Sequence, residues 1–174
     1  MKKRIVFLLV LCVSLFFCAC SVKPSMEELL SYQRAGTECT LRITDGEVFY
    51  ANLQISEKEM RLTFTDEKRE GISYLLKKDG TLSLFYENTE IPLSESELLK
   101  CKRWFSLFSV SAGENIWKIK KETLSGISVY VCKDGVLTLY TDASTGLPLK
   151  MQAGSVTVDV LSCRTDEKAE NRNP

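Results

Sequence analysis

The sequence predicts an α+β fold in which one strongly curved antiparallel sheet of about ten strands, a half-barrel, carries two helices. Three observations lead to this prediction. Short segments alternate apolar and polar residues along most of the chain, as half-buried strands do. Asp-Gly pairs separate several of these segments, which is typical of tight hairpins. One helical pattern with large apolar residues, at 94–110, interrupts the strands.

The N-terminal segment predicts secretion. Lys2, Lys3 and Arg4 precede the apolar run 5–17, and a basic region followed by a short apolar region is the pattern of a signal peptide. The run is shorter than the roughly 20 residues that a transmembrane helix needs. We therefore assign 1–19 to a signal peptide and 20–25 to a short tether.

The apolar run ends in Phe17-Cys18-Ala19-Cys20, which resembles the lipobox of bacterial lipoproteins, where a small residue precedes the acylated cysteine. The resemblance implies that Cys20 is the lipid attachment site and carries acyl chains such as palmitate. Two or three such chains give stable anchoring where one does not. We therefore expect a protein anchored on the extracytoplasmic face of the cell membrane. A signal that is cleaved elsewhere, or not at all, is the alternative.

Charge argues against a nucleic-acid partner. The chain has 23 basic and 23 acidic residues, and loss of the three signal-peptide cations leaves a net charge of about −3. A mildly acidic surface lacks the basic footprint that phosphates require. The chain also has no histidine, the commonest general base and zinc ligand. We therefore predict neither an enzyme nor a bound metal or other cofactor.

Four cysteines remain after residue 20. They are Cys39, Cys101, Cys132 and Cys163. An even number in an extracytoplasmic protein permits two disulfides, with three different pairings. Each cysteine also lies within an apolar strand or helix pattern, so reduced thiols that serve as small core side chains are an equally good interpretation. The sequence does not choose between them.

The domain begins with a helix, predicted from about Met26 to Ala35. Ser25 and Glu28 have the spacing of a capping box, and Gly36 ends the helix. A meander of five strands follows, because apolar residues alternate with polar ones between turns such as Asp45-Gly46 and Asp79-Gly80. The alternating apolar positions include Leu41, Ile43, Phe49, Leu53, Leu62, Phe64, Tyr74, Leu76 and Leu84.

The second and longer helix is predicted over Ser94 to Val110, and Ser94 and Glu97 repeat the capping-box spacing. At roughly 100° per residue, one strong apolar face forms, which consists of Leu98, Cys101, Trp104, Phe105 and Phe108. Leu99, Leu107 and Val110 lie outside this face. A surface helix needs only one apolar face, so these three residues require other cover.

About five more strands follow the long helix, with Asp134-Gly135 as another turn. Their alternating apolar positions run from Trp117 to Val160. The segment 164–174 is charged and almost free of apolar residues, which predicts a disordered tail. This leaves 26–163 as one domain.

The long helix favours a single curled sheet over a two-sheet sandwich or a closed barrel. A two-sheet sandwich leaves no place for a large aromatic helix between its halves, and a closed barrel fits a helix in mid-sequence less well. In a single sheet that curls around its helices, the apolar face of every strand and helix is covered. We therefore expect the longer helix to cover the concave face.

The order of these elements and one late segment, Leu139-Tyr140-Thr141-Asp142-x-x-Thr145-Gly146-Leu147-Pro148, resemble the LolA-like half-barrel proteins. This group comprises the outer-membrane lipoprotein carriers and their relatives, including extracytoplasmic lipoproteins of Gram-positive bacteria. The likeness covers about 25–163. It implies a hydrophobic cavity that accepts acyl chains, and hence a lipid or lipopeptide ligand, but no ligand-contacting residue of the group can be carried over.

The long helix supplies the candidates for lining such a cavity. These are Leu98, Trp104, Phe105, Leu107 and Phe108, because a hydrophobic site needs large apolar side chains. The simpler alternative is that they fill the core between helix and sheet. Our functional hypothesis is a membrane-anchored lipoprotein that binds a lipid or other hydrophobic ligand. The alternative is a non-enzymatic envelope module with a dry core that binds another protein.

Overall fold

Eleven antiparallel strands form one open sheet in a computed structural model of the 174-residue chain, which describes residues 23–113 and 117–165. The strands are β1 (Thr37–Asp45), β2 (Glu47–Ile55), β3 (Glu59–Phe64), β4 (Ile72–Lys77), β5 (Leu82–Tyr86), β6 (Thr89–Ile91), β7 (Lys118–Leu124), β8 (Ile127–Lys133), β9 (Leu137–Asp142), β10 (Pro148–Ala153) and β11 (Val156–Thr165). They lie in the order β6-β5-β4-β3-β2-β1-β11-β10-β9-β8-β7. The helices are α1 (Met26–Leu29) and α2 (Glu95–Ser106), and the 3₁₀ turns are Ser31–Gln33 and Glu67–Arg69.

Two meanders meet in the middle of this sheet. The first runs from β1 out to β6, and the second runs from β7 back to β11. The first and last strands of the domain therefore pair with each other, from Thr37 opposite Thr165 to Thr44 opposite Thr157. Because this junction joins segments far apart in sequence, it holds the two halves of the molecule together.

A disulfide crosses the central junction. Cys39 of β1 lies directly opposite Cys163 of β11, and the two are bonded, with Cα atoms 4.1 Å apart. Cys101 and Cys132 are free and buried. The structure therefore combines the two interpretations, since one pair forms a disulfide and the other two cysteines are core thiols.

The predicted single antiparallel sheet is confirmed, and it has one strand more than the ten expected. The extra strand is β6, which pairs with β5 through a turn at Glu87 and Asn88. Both turn residues have positive φ, 46° and 68°, as a type I′ hairpin turn requires. This hairpin was not predicted, because the usual glycine signal is absent from it.

The first helix is much shorter than predicted. Its capping box is present, since Ser25 N–H donates to the Glu28 carboxylate (2.8 Å) and Glu28 N–H donates to the Ser25 hydroxyl (3.2 Å). However, α1 stops at Leu29, and a 3₁₀ turn replaces the remaining predicted length. The last residue before β1, Gly36, has a φ of 83°, and its N–H donates to the carbonyl of Ile55 (2.8 Å). The chain therefore turns into the sheet where the prediction ended the helix.

The C-terminal end of the domain also differs from the predicted one. β11 continues to Thr165, two residues beyond the predicted end of the domain at 163. These residues stay in the sheet because they pair with the start of β1, where Arg164 also forms an ion pair with Glu38. The rest of the predicted tail, 166–174, lies outside the described residues, as do the predicted signal peptide and Cys20.

In β1, β2 and β9, and in parts of β3 and β11, alternate residues are buried, and they contribute to the core on one face of the sheet. The first meander contributes residues such as Leu41, Phe49 and Leu62, and the second contributes residues such as Leu139 and Met151. Within the described residues, no helix is long and apolar enough to cross a lipid bilayer.

Candidate ligand-binding site

Helix α2 begins at a complete capping box. Ser94 N–H donates to the Glu97 carboxylate (3.0 Å), and Glu97 N–H donates to the Ser94 hydroxyl (3.3 Å). The hydrogen bond from Ser94 holds the pKa of Glu97 below its usual value. This reciprocal arrangement satisfies two donors that the first turn of a helix leaves free, so the start of α2 is as the sequence predicts.

Trp104 of α2 lies at the centre of an aromatic cluster. Its ring centroid is 5.0 Å from that of Phe49, 6.1 Å from that of Phe64 and 6.0 Å from that of Tyr74. Phe64 also meets Phe49 and Tyr74 edge to face, at 5.2 and 5.7 Å. These distances are those of favourable aromatic pairs. The middle of α2 is therefore packed directly on the sheet.

Asp45, at the end of β1, ties α2 to the sheet. Its carboxylate accepts a hydrogen bond from Trp104 Nε1–H (3.0 Å) and from the Arg103 guanidinium (3.2 Å). The Asp45 side chain is only 9% exposed, whereas that of Arg103 is 52% exposed. The indole N–H of a largely buried tryptophan needs such an acceptor, so Asp45 fixes both the position and the orientation of the ring.

Arg69 covers the same end of the aromatic cluster. Its guanidinium carbon lies 5.0 Å from the ring centroid of Phe49 and 5.8 Å from that of Phe64. It also forms ion pairs with Glu47 (2.6 Å) and Asp66 (3.1 Å). Cation–π and ionic contacts together hold the guanidinium over the rings. Arg69 therefore covers the aromatic cluster near the β1–β2 hairpin.

Helix α2 ends at Ser106, four residues before the predicted end at Val110, and the chain continues in a turn that is tighter than an α-helix. Leu107 N–H donates to the carbonyl of Trp104 (3.2 Å) and Phe108 N–H donates to that of Phe105 (2.9 Å), which is the i to i−3 pattern of a 3₁₀ turn. Residues then advance by about 120° rather than 100°. This rotation brings Leu107 into the core, where it is 1% exposed, although a regular α-helix would have left it outside the main face.

The structure separates the five predicted cavity residues. Trp104, Phe105 and Leu107 are buried in the packed core, and Leu98 is half-buried at the start of α2. Phe108 borders a cleft. Of the other apolar residues outside the main face, Val110 is half-buried, and Leu99 is 68% exposed.

The cleft lies at the other end of the first meander, where β2 ends, β3 begins and β4 ends. It has a volume of about 250 Å³. Its apolar lining comes from Ile55, Met60, Leu76 and Phe108, and its polar lining comes from Gln33, Ser56, Glu59, Lys77, Lys78 and Ser109. The alternation of apolar residues predicts that Leu76 lies on an apolar strand face, but no sequence signal indicates which part of that face stays uncovered.

Gln33 closes one side of the cleft. With its amide oriented to satisfy both polar atoms, it donates to the carbonyl of Val110 (2.9 Å) and accepts from the N–H of Val110 (3.2 Å). This double hydrogen bond joins the segment after α2 to the 3₁₀ turn that follows α1. The shape of the cleft therefore depends on contacts between elements from three parts of the chain.

A second cavity, of about 350 Å³, lies over β1, β2 and β11 and is lined mainly by polar residues. These residues already satisfy one another, since Gln54 donates to Glu38 (3.2 Å), Thr40 donates to Asn52 (3.2 Å) and Arg164 Nε donates to Glu38 (2.9 Å). Although it is the larger cavity, it offers little apolar surface. It is therefore a poorer site for a hydrophobic ligand than the cleft at Phe108.

The two free thiols behave as core side chains. Burial raises the pKa of the Cys101 thiol to about 12 and that of the Cys132 thiol to about 11. A thiol is nucleophilic only as the thiolate, so both are held in the inert form at neutral pH. Among the described residues, no group of three or more Cys, Asp or Glu side chains is placed to hold a metal ion.

Several solved structures resemble this one in fold. MucB superposes with a TM-score of 0.55 at 14% identity, over 81% of this chain and 57% of the MucB chain. An uncharacterised conserved protein from Thermus thermophilus superposes with a TM-score of 0.52 at 10% identity, over 80% of this chain and 84% of that one. No protein-family profile and no curated protein sequence matches the chain. The likeness therefore supports a LolA-like, MucB-like half-barrel fold.

Proposed function

We propose that the protein is an extracytoplasmic lipoprotein, anchored through Cys20, whose half-barrel binds a lipid or another hydrophobic ligand without enzymatic chemistry. The observation that carries the ligand-binding part is the cleft at Phe108. In this proposal α2 covers the concave face of the half-barrel, and the cleft is the part of that face which α2 leaves open.

The lining of the cleft suits an apolar chain. Ile55 and Phe108 are almost fully buried, whereas Met60 and Leu76 are half-buried and therefore present apolar surface to an incoming molecule. Filling this space would remove apolar surface from water, which favours binding. The free energy of binding would therefore come from apolar side chains that the folded protein already holds in place.

The size of the cleft limits the ligand. About 250 Å³ is more than the roughly 150 Å³ that holds benzene in an engineered cavity, and it is slightly less than the roughly 300 Å³ at the lower end of sites for drug-sized ligands. One chain, or the end of one chain, fits this volume. A molecule with several acyl chains would leave most of its apolar surface outside.

The anchor would keep this cleft close to the membrane. Only five residues, 21–25, separate Cys20 from the start of α1 at Met26, and such a segment spans at most about 20 Å. A domain held this close to the bilayer surface can receive an apolar molecule directly from it. This geometry favours local capture over transport across a wide aqueous space.

A neutral dye, Nile red, tests the cleft in the chain from residue 20 onward with Cys20→Ala, which contains every described residue. We expect its fluorescence to rise on binding and to fall when decan-1-ol competes. Leu76→Trp should fill the cleft and weaken Nile red binding about tenfold or more, a loss of roughly 1.4 kcal/mol. Ile72→Trp is the matched control, because it makes the same kind of change on the same strand and face but outside the cleft.

Two results would overturn the proposal. One is wild-type protein that neither binds Nile red nor carries a lipid in native mass spectrometry without detergent. The other is equal weakening by Leu76→Trp and Ile72→Trp. The anchor has a separate test, since Cys20→Ala should abolish labelling by a fatty-acid analogue in cells, and persistent labelling would exclude Cys20 as the attachment site.

A second candidate function is the binding of another envelope protein. It is favoured by the dense aromatic cluster under α2 and by Val48 and Tyr50, which are 46% and 43% exposed on the outer face of β2. A photo-crosslinking residue at Tyr50 should then trap one stoichiometric partner in cells, and the same residue at Tyr86, which is 48% exposed on β5, should not. Equal, diffuse products at both sites would count against this function.

A further inference from the structure

The mouth of the cleft carries positive charge. Lys77 is the last residue of β4, and Lys78 follows it in the β4–β5 turn. Both are exposed, both line the cleft, and they follow Leu76 directly in the sequence. A backbone hydrogen bond from Lys78 N–H to the carbonyl of Lys58 (3.1 Å) fixes this turn against the loop before β3. The two ammonium groups are therefore carried by an anchored segment.

Two acidic groups lie near these lysines, Glu59 in the cleft lining and Asp79 in the β4–β5 turn, and each also has a partner of its own. Glu59 lies opposite Lys77 in the β3–β4 ladder, but its carboxylate is 3.9 Å from the Arg61 guanidinium. The Asp79 carboxylate accepts a hydrogen bond from Thr81 N–H within its own turn (2.8 Å), and it also interacts electrostatically with Lys77. Neither Lys77 nor Lys78 belongs to an ion pair in the described part of the chain.

An apolar floor beside a cationic rim matches one kind of molecule. Lysine side chains place their aliphatic stems along apolar surface and keep the ammonium group in water. A chain buried against Leu76 and Phe108 would therefore place its end group at the rim of the cleft, which Lys77 and Lys78 line. A negative end group is attracted there, a neutral one gains nothing, and a positive one is repelled.

We propose that the cleft selects a single apolar chain that ends in an anionic group, with Lys77 and Lys78 as its charge partners. This inference rests on the proposed function, because it requires that the cleft binds an apolar chain. It adds the chemical class of the ligand, an anionic single-chain amphiphile such as a long-chain carboxylate.

Calorimetric titration of the chain from residue 20 onward, with Cys20→Ala, can separate the two contributions. The ligands are decanoate and decan-1-ol, which have the same chain and differ in charge. We expect decanoate to bind about tenfold more tightly at low ionic strength, since each exposed ion pair contributes modestly. Salt should reduce this ratio toward one, because it screens exposed charges.

Two double variants locate the effect. Lys77→Gln with Lys78→Gln should weaken decanoate about tenfold and leave decan-1-ol unchanged. Lys120→Gln with Lys121→Gln removes the same charge from exposed positions on the edge strand β7, and it should change neither affinity. Circular dichroism of each variant checks that the sheet is intact.

The outcomes distinguish the inference from the proposed function. If both ligands bind wild-type protein equally, or if both double variants weaken decanoate to the same extent, the charge selection is refuted and the apolar site stands. If neither ligand binds, the proposed function fails and the inference falls with it.

Discussion

Removing the Asp45 carboxylate should release α2 from the hairpin end of the sheet. In Asp45→Ala the Trp104 indole N–H, now 3.0 Å from a carboxylate oxygen, would lose its acceptor in a part-buried position. A hydrogen bond to a charged group contributes about 1.5 to 3 kcal/mol. The Arg103 ion pair adds less, about 0 to 1 kcal/mol, because the Arg103 side chain is half exposed. We expect the free energy of unfolding to fall by about 2 to 3 kcal/mol.

Urea unfolding followed by tryptophan fluorescence measures this change. With a slope of about 2 kcal/mol per M for a domain of this size, the midpoint should fall by about 1 M. Asp45→Asn is the matched control, because it retains an oxygen acceptor for Trp104 and loses the charge. Arg103→Gln removes only the ion pair. Each control should lower the free energy of unfolding by less than about 1 kcal/mol.

Comparing the destabilisation of these variants tests whether the hydrogen bond from Trp104 to Asp45 holds the helix. If Asp45→Asn destabilises as much as Asp45→Ala, the charge on Asp45 matters and the indole hydrogen bond does not. If Asp45→Ala changes the free energy of unfolding by less than about 0.5 kcal/mol, as surface substitutions usually do, Asp45 does not hold the helix.

The packing of the core supports three further predictions. Cys39→Ala with Cys163→Ala should lower the free energy of unfolding by about 3 to 5 kcal/mol, because the disulfide closes a long loop, and an unchanged urea midpoint would contradict this. Leu107→Ala should cost about 2 to 5 kcal/mol, whereas Leu99→Ala should stay within about 0.5 kcal/mol; equal costs would mean that Leu107 is not in the core. Stability should fall as pH rises from 9.0 toward 12, because the pKa of the Cys101 thiol is raised from 9.0 to about 12 in the folded state, so the unfolded chain loses its proton first. Cys101→Ala should flatten this slope in urea titrations at several pH values, and a slope that is the same in both proteins would refute the assignment.

Local chemistry made much of the fold predictable. The capping boxes at Ser25 and Ser94 need only residues three positions apart, and both form as predicted. The late motif is also local, since the Asp142 carboxylate accepts hydrogen bonds from Ser144 N–H (2.7 Å) and Thr145 N–H (3.2 Å), as an Asx turn does. Interactions of this range can be inferred wherever the residue types and spacing are visible.

The candidate site was less predictable, because it depends on where elements end and what covers them. The prediction of a large apolar face on α2 was correct, but the tight turn after α2 places Leu107 in the core, and Phe108 borders the cleft. At the opposite end of the sheet, the contacts that cover the aromatic cluster come from Asp45 and Arg69, which are charged residues in or near turns. Polar residues at such positions carry no sequence signal for a contact with buried rings.

By itself, the sequence determined the alternation that makes the strands, the turns that reverse them, and the presence of one large apolar helix. These properties depend on neighbours along the chain. Only the tertiary structure decided that β1 pairs with β11, which selects the Cys39–Cys163 bond across a separation of 124 residues. It also decided which end of the aromatic face stays open. Both outcomes depend on how distant segments meet, and the energy of those contacts exists only after the sheet has formed.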